Sequence, residues 1–316
     1  MKLQKIFLFG LLIMSVLLSA CDLKNEIKNE SSESIKLVTT FAPVYSHTKA
    51  IVQDHAKITN LVEIGKSVHN RQLTPQKAME LENSDGIIIN GIDLEEFLED
   101  YLESIDDKII DTSKISLLKF SKEHEHEDEE NLEEHDDEDE HGHNHGEWDP
   151  HVWLNPQNAI IQTNNILALQ SMDPANSDLY QVNAQQYIQK IEKLDKEIQQ
   201  KFENVKFKNF IVFHNAYLYF FDHYDLSQYQ KSVIQNFEEV PSIQEIQNFI
   251  KQIDEEGVAV IFTEPQFSPK IVQMLKEERP ELVLQEINPI KNLSENNYLE
   301  TLELLANNII KAMSEI

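Results

Sequence analysis

The sequence predicts an α/β protein of two small lobes, each a parallel sheet with its own helices, joined by one long helix. Three observations predict it. Apolar strand-like runs alternate with helical patterns in the first half, the order expected of a parallel α/β sheet. The same alternation returns in the second half. Between them one helical pattern runs from about Asn176 to Asn204, with Leu179, Val182, Ile188, Ile191, Leu194, Ile198 and Phe202 mostly three or four residues apart. At ~1.5 Å per residue that pattern is on the order of 40 Å long, a rod suited to serve as a backbone for both lobes. With 316 residues the chain has room for two domains, each able to bury its own core.

Residues 1–20 read as a signal peptide: Lys2 and Lys5 precede the apolar run Ile6 to Leu18, and the small residues Ser19 and Ala20 close it. The run is too short to span a membrane comfortably. Cys21 is the only cysteine, which excludes an intramolecular disulfide framework. Leu18-Ser19-Ala20-Cys21 resembles a bacterial lipobox, which implies lipid modification of Cys21 and anchoring by several acyl chains. Residues 21–34, polar and without pattern, then form a lipidated, flexible tether.

The first lobe, residues 35–175, opens with the alternating, β-branched run Ile35 to Phe41, read as a strand ending at Ala42-Pro43. A helix follows from Pro43 to about Val52, and Ile58 to Val62 is a second short strand. Thr74 is placed to cap a helix whose first position is Pro75. Asp85 to Gly91 is a continuous apolar run between turn residues, as in a strand covered on both faces. A helix from Leu94 to Ile105 and a strand near Ile109-Ile110 complete the alternation. A further helix starts at Asn155-Pro156 and is broken at Asp173-Pro174.

The linking helix occupies 176–204 and the second lobe 205–316. There Asn209 to Phe213, Val258 to Phe262 and Leu282 to Leu284 read as strands. Ser242-Ile243-Gln244-Glu245 has the spacing of a capping box, opening a helix to about Glu255. Other helices begin after Ser268-Pro269 and run from roughly Glu295 to Met313.

Residues 121–147 interrupt the first lobe with 14 acidic residues, one lysine and the histidines His124, His126, His135, His141, His143 and His145. A run of this composition is read as a disordered loop. Imidazole among carboxylates also points to borderline transition ions such as zinc, with His141, His143 and His145 as weak, auxiliary ligands. The formal net charge is −29, which argues against nucleic acid, because phosphate recognition needs a basic surface.

Ligands bind beyond the carboxyl ends of strands in open α/β sheets. Three isolated histidines sit near such positions. His69 follows the second strand, His151 precedes the Asn155 helix, and His214 follows the strand ending at Phe213. Converging from separate strand ends, three histidines make a familiar zinc set. His47, His55 and His223 lack such placement and read as structural or surface residues.

His69 with Thr74-Pro75, Asp149-Pro150-His151-Val152-Trp153-Leu154-Asn155-Pro156, Phe213-His214-Asn215-Ala216-Tyr217 and Thr263-Glu264-Pro265-Gln266-Phe267-Ser268 together resemble the zinc-specific solute-binding lipoproteins of bacterial ABC transporters, the cluster A-I group. The resemblance runs through essentially all of the mature chain in the right order. It implies two α/β lobes on one rigid helix, with metal in the cleft between them. Carried over residue by residue, it implies His69, His151 and His214 as metal ligands. Manganese-binding members carry a carboxylate where His214 stands. Where several relatives offer an acid after the last strand, this chain has Ile287-Asn288-Pro289-Ile290-Lys291, so water, Glu264 or a loop histidine is left for the fourth position. Glu264 reads more readily as a residue behind the ligands or a capping group. The histidine-rich loop also looks like that of the zinc branch.

The expectation is therefore a monomeric binding protein, not an enzyme. It would carry Zn2+ as transported ligand, lie outside the cytoplasm on a lipid anchor, and serve an ABC permease and its ATPase. The alternatives are a manganese or other divalent-metal carrier, a metal-dependent adhesin or buffering lipoprotein, and a metallohydrolase. For the last, the signature His-Glu-x-x-His fails, because Asp128 stands where the second histidine after His124-Glu125 is needed.

Overall fold

The computed structural model describes residues 34–63, 73–115, 117, 148–233, 242–265, 269–290 and 298–316. The signal, Cys21, His69 and the loop 121–147 lie outside them. Among the described residues no helix is long and apolar enough to cross a membrane.

Two four-stranded parallel sheets form the frame. In the first, β1 (Ile35–Thr39) pairs with β2 (Ala56–Asn60) on one side and β3 (Gly86–Ile89) on the other, and β4 (Ile109–Asp111) completes the order β2-β1-β3-β4. In the second, β5 (Phe210–Val212), β6 (Gln230–Val233), β7 (Val260–Thr263) and β8 (Val283–Glu286) repeat it as β6-β5-β7-β8. Each sheet has one point where the chain reverses its direction of travel, between β1 and β3 and between β5 and β7. The crevice beyond the strand ends there is the usual place for a ligand.

Local sequence explains most element boundaries. Helix α1 (Ala42–Val52) starts at Ala42-Pro43, and α2 (Pro75–Glu82) is capped by Thr74, whose hydroxyl accepts the Lys77 amide. The second strand starts two residues before the predicted Ile58, and the Leu61 and Val62 amides continue its bonding to Thr39 and Thr40. The predicted helix Leu94 to Ile105 is not continuous. It divides into a 3-10 turn at Glu96–Leu98, a single α turn, α3 (Glu99–Leu102), and a 3-10 segment at Glu103–Lys108 with non-helical backbone at Ile105. Glu95 and Glu99 would repel one turn apart in a regular helix, and Glu95 instead turns inward to the preceding loop. Strand β6, with the polar sequence Gln-Lys-Ser-Val, carries no apolar run to announce it.

Helix α4 (Pro156–Ile166) leads through two 3-10 turns to α5 (Ser177–Phe202), the predicted long helix, 26 residues in one piece. Its buried apolar residues Tyr180, Ala184, Tyr187, Ile191, Leu194, Ile198 and Phe202 form a single stripe at spacings of three and four. Leu179, Val182 and Ile188 of the predicted pattern lie beside it, partly or largely exposed, because Tyr180, Ala184 and Tyr187 take the inward positions of the first turns. Tyr187 meets His47 of α1, whereas Phe202 meets Phe220 and Tyr224 at the end of α6 (Leu218–His223). One stripe thus serves both halves. In consequence the inner faces of the two sheets share one continuous apolar cluster, from Leu37 to Met313, rather than the two separate cores expected. Each sheet has its own cluster only on the outer face. Val38, Leu61, Leu81, Ile87 and Leu98 form the first; Ile211 and Ile261 form the second with α7 (Ile243–Glu256) and α8 (Pro269–Glu278). The last helix, α9 (Tyr298–Ser314), packs on α5, α1 and β8.

Candidate metal centre

Asp149-Pro150-His151 is folded by its own side chain. The Asp149 Oδ1 carboxylate oxygen accepts the His151 amide at 2.9 Å and the ring Nδ1 at 2.6 Å. A 3-10 turn, Val152–Leu154, follows, and Asn155 caps α4 by accepting the Gln157 amide. Trp153 is fixed on three sides. Its ring lies edge-on to Phe41 at 4.8 Å, its indole N–H donates to the Pro289 carbonyl, and its own carbonyl accepts the Tyr298 hydroxyl. His151 is thereby set on a buried, doubly anchored turn, 3% exposed.

His214 arrives from the other sheet. The Phe213 amide bonds to the Phe262 carbonyl and extends the β5–β7 pairing by one residue, so His214 stands at that sheet's reversal point. Glu264, one residue past β7, stands at the same point, and its Oε1 lies 3.2 Å from His214 Nδ1. The rings of His151 and His214 meet edge to face, with centroids 5.0 Å apart. Each imidazole has its Nδ1 against a buried carboxylate, which places the metal-binding lone pair on Nε2.

The two rings differ in electrostatics. Burial, reinforced by the charge of His214, holds His151 well below the usual histidine range, with Glu264 opposing. Burial would lower His214 as well, but the hydrogen bond and charge of Glu264, with Asp149 behind, outweigh it and raise His214. Tyr217 is buried beside Glu264, and burial and that carboxylate push its phenol upward.

Of the predicted ligands, His151 and His214 are therefore brought together, while His69, His141, His143 and His145 lie outside the described residues. Among the described residues no group of three or more His, Cys, Asp or Glu side chains forms a metal-holding set. Asn288, where an acid was looked for, turns back to accept the Ile290 amide. His47 is buried against Tyr187, His223 bonds Asp195 at 2.8 Å, and His55 is exposed.

A sequence profile for a family described as zinc-uptake complex component A, periplasmic, matches residues 37–312. The chain belongs to that family. Relatives within reach of this zinc-uptake family include the high-affinity zinc uptake system protein ZnuA of Brucella abortus, 35% identical over 75% of this chain and 78% of that protein. The iron-binding protein YfeA of Yersinia pestis is 27% identical over 86% of this chain and 82% of its own. The crystal structure of Zn(II)-bound AdcA from Streptococcus pneumoniae superimposes with a TM-score of 0.72 at 23% identity, covering 89% of this chain. This chain spans 58% of that longer protein. Members of the family are substrate-binding components of transport systems, and its periplasmic description places them outside the cytoplasm.

Three contributors to the site were not among the residues that the sequence singled out. Asn90, Glu95 and Gln162 form a buried polar chain leading to Pro150, through contacts spanning up to 72 residues. Only the Asn90-Gly91 turn signal marked the place.

Proposed function

We propose that the chain captures Zn2+ outside the cytoplasmic membrane and hands it to a cognate ABC permease and its ATPase, with no bond made or broken. The ligands are His69, His151 and His214. The observation that carries this reading is the meeting of His151 and His214, one from each half of the chain, with Nδ1 of each on a carboxylate. Carboxylate–histidine pairs of this kind orient and strengthen zinc ligands. Nitrogen donors favour zinc, whereas oxygen-rich sets favour manganese. The fourth position falls to water, Glu264 or one of His141, His143 and His145. Cys21 carries the lipid anchor, and the acidic loop 121–147 raises the local cation concentration near the cleft.

A second metal keeps a specific support: the Yersinia relative is an iron-binding protein, and Asp149 and Glu264 put oxygen donors beside both rings. The experiment is competition for zinc, manganese and iron(II) against a chromophoric chelator. It compares the intact chain, a chain lacking 121–147, and His151→Ala. One tight zinc site should persist without the loop and vanish in His151→Ala. Tight binding that disappears with the loop and survives His151→Ala would sink the cleft reading.

A further inference from the structure

We infer that Glu95 is a positioning residue for His151, acting through the turn that follows β3 and through Asn90. The inference rests on the reading of His151 as a metal ligand. Strand β3 ends at the reversal point of the first sheet, and the chain then takes left-handed backbone at three successive residues, Gly91 (φ 81°), Ile92 (φ 57°) and Asp93 (φ 57°). Such a run is foreign to a β-branched residue and persists only where surroundings enforce it. Glycine is required at its first position, because a Cβ on Gly91 would collide with the Asp111 carboxylate and Ser113.

Glu95 supplies the enforcement. The residue is 5% exposed, and its carboxylate accepts the Asn90 amide at 2.8 Å, the Gly91 amide at 3.0 Å and the Thr40 hydroxyl at 2.6 Å. All three donors are neutral, and burial pushes the carboxyl up to about 7 against the pull of those bonds.

The clamped turn then reaches the metal centre. Gln162 Nε2 donates to Asn90 Oδ1 at 3.1 Å, which fixes the amide so that Asn90 Nδ2 donates to the Pro150 carbonyl at 3.0 Å. That carbonyl belongs to the same peptide group as the His151 amide, which donates to Asp149. The peptide plane before His151 is therefore gripped at both ends, by Asp149 at its N–H and by Asn90 at its C=O. Glu95 is the anchor of the second grip.

The test measures zinc affinity by chelator competition, and the visible spectrum of bound Co2+ as a report on ligand geometry, in the full-length protein. The variants are Glu95→Gln, Asn90→Ala, His151→Ala and, as control, Tyr180→Phe. The control removes a buried hydrogen bond to Asp173 outside this chain of contacts. In Glu95→Gln an amide NH2 must face a backbone N–H, so one bond of the clamp is lost. Asn90→Ala leaves the bonds of Glu95 to the backbone in place, removes the grip on Pro150 together with the Asn90 side-chain bonds to Gln162 and the Gly91 carbonyl, and carries the test if Glu95→Gln does not fold. Each should weaken zinc on the order of 10-fold and change the Co2+ spectrum, as outer partners of ligands do. Tyr180→Phe should do neither. Wild-type affinity and spectrum in both variants, with His151→Ala still defective, would overturn the positioning role alone. An equal loss in Tyr180→Phe would overturn it too, by revealing general loosening. Unaltered binding in His151→Ala would remove the ligand reading and this inference with it.

Discussion

A neutral histidine offers a metal one nitrogen, and whatever holds the other nitrogen decides which. Asp149 and Glu264 make that decision for His151 and His214 in the same sense, although one carboxylate is two residues from its ring and the other 50. His47 shows the opposite use of the residue. It is wholly buried among Tyr187 and Tyr298, and burial lowers it from 6.5 to about 3. Its unfolded form takes a proton more readily than its folded form between those values. The stability it contributes is therefore complete above about pH 6.5 and lost as pH falls towards 3, at up to about 1.4 kcal/mol per pH unit. Chemical unfolding of the metal-free protein from pH 7 to 4 should show a shallower pH slope in His47→Leu than in the wild type. Parallel curves would refute the assignment.

At the scale of elements, short-range signals were the legible ones. The capping box at Ser242 is formed as its spacing predicted: the Ser242 hydroxyl accepts the Glu245 amide, and the Glu245 carboxylate accepts the Ser242 amide. Ser242→Ala should cost about 1 kcal/mol of stability, read as a lower thermal midpoint. Zinc affinity should not change, because α7 packs on the outer face of the second sheet, through Ile246, Phe249 and Ile253. A change in affinity would mean that this helix communicates with the centre. What the sequence hid was long-range or polar. Strand β6 has no apolar alternation, and the broken segment after Leu94 depends on Glu95 finding partners as far away as Thr40. His151 and His214 were visible as strand-end residues whose motifs implied that they converge, with Glu264 behind them; the bond of Asp149 to the His151 ring was not, since nothing in a two-residue spacing says which way a side chain folds back.

For the whole molecule, the long helix is less a hinge than a shared wall. Its apolar stripe passes from His47 to Phe220 without interruption, and Asp195 on it binds Gln157 of the first half as well as His223 and Tyr224 of the second. Trp153 adds direct ties from the ligand segment to Pro289 and Tyr298. A frame fastened at so many points should close little on its cargo. Small-angle scattering with and without zinc should give superimposable pair-distance distributions, and a clear contraction would contradict the shared wall. The rod was legible from spacing, although Leu179, Val182 and Ile188 of that pattern are not on the face it buries. The fusion of the two inner cores was not, because one stripe looks the same whether it faces one partner or two.

The bonds of Tyr298, from its amide to Ser46 and from its hydroxyl to Trp153, set a timetable for synthesis. Ser46 and Trp153 leave the ribosome long before their partner exists. The first half must wait, incompletely sealed, until the last helix begins to be translated, and during that wait the nascent chain is still open to whatever machinery moves unfinished proteins.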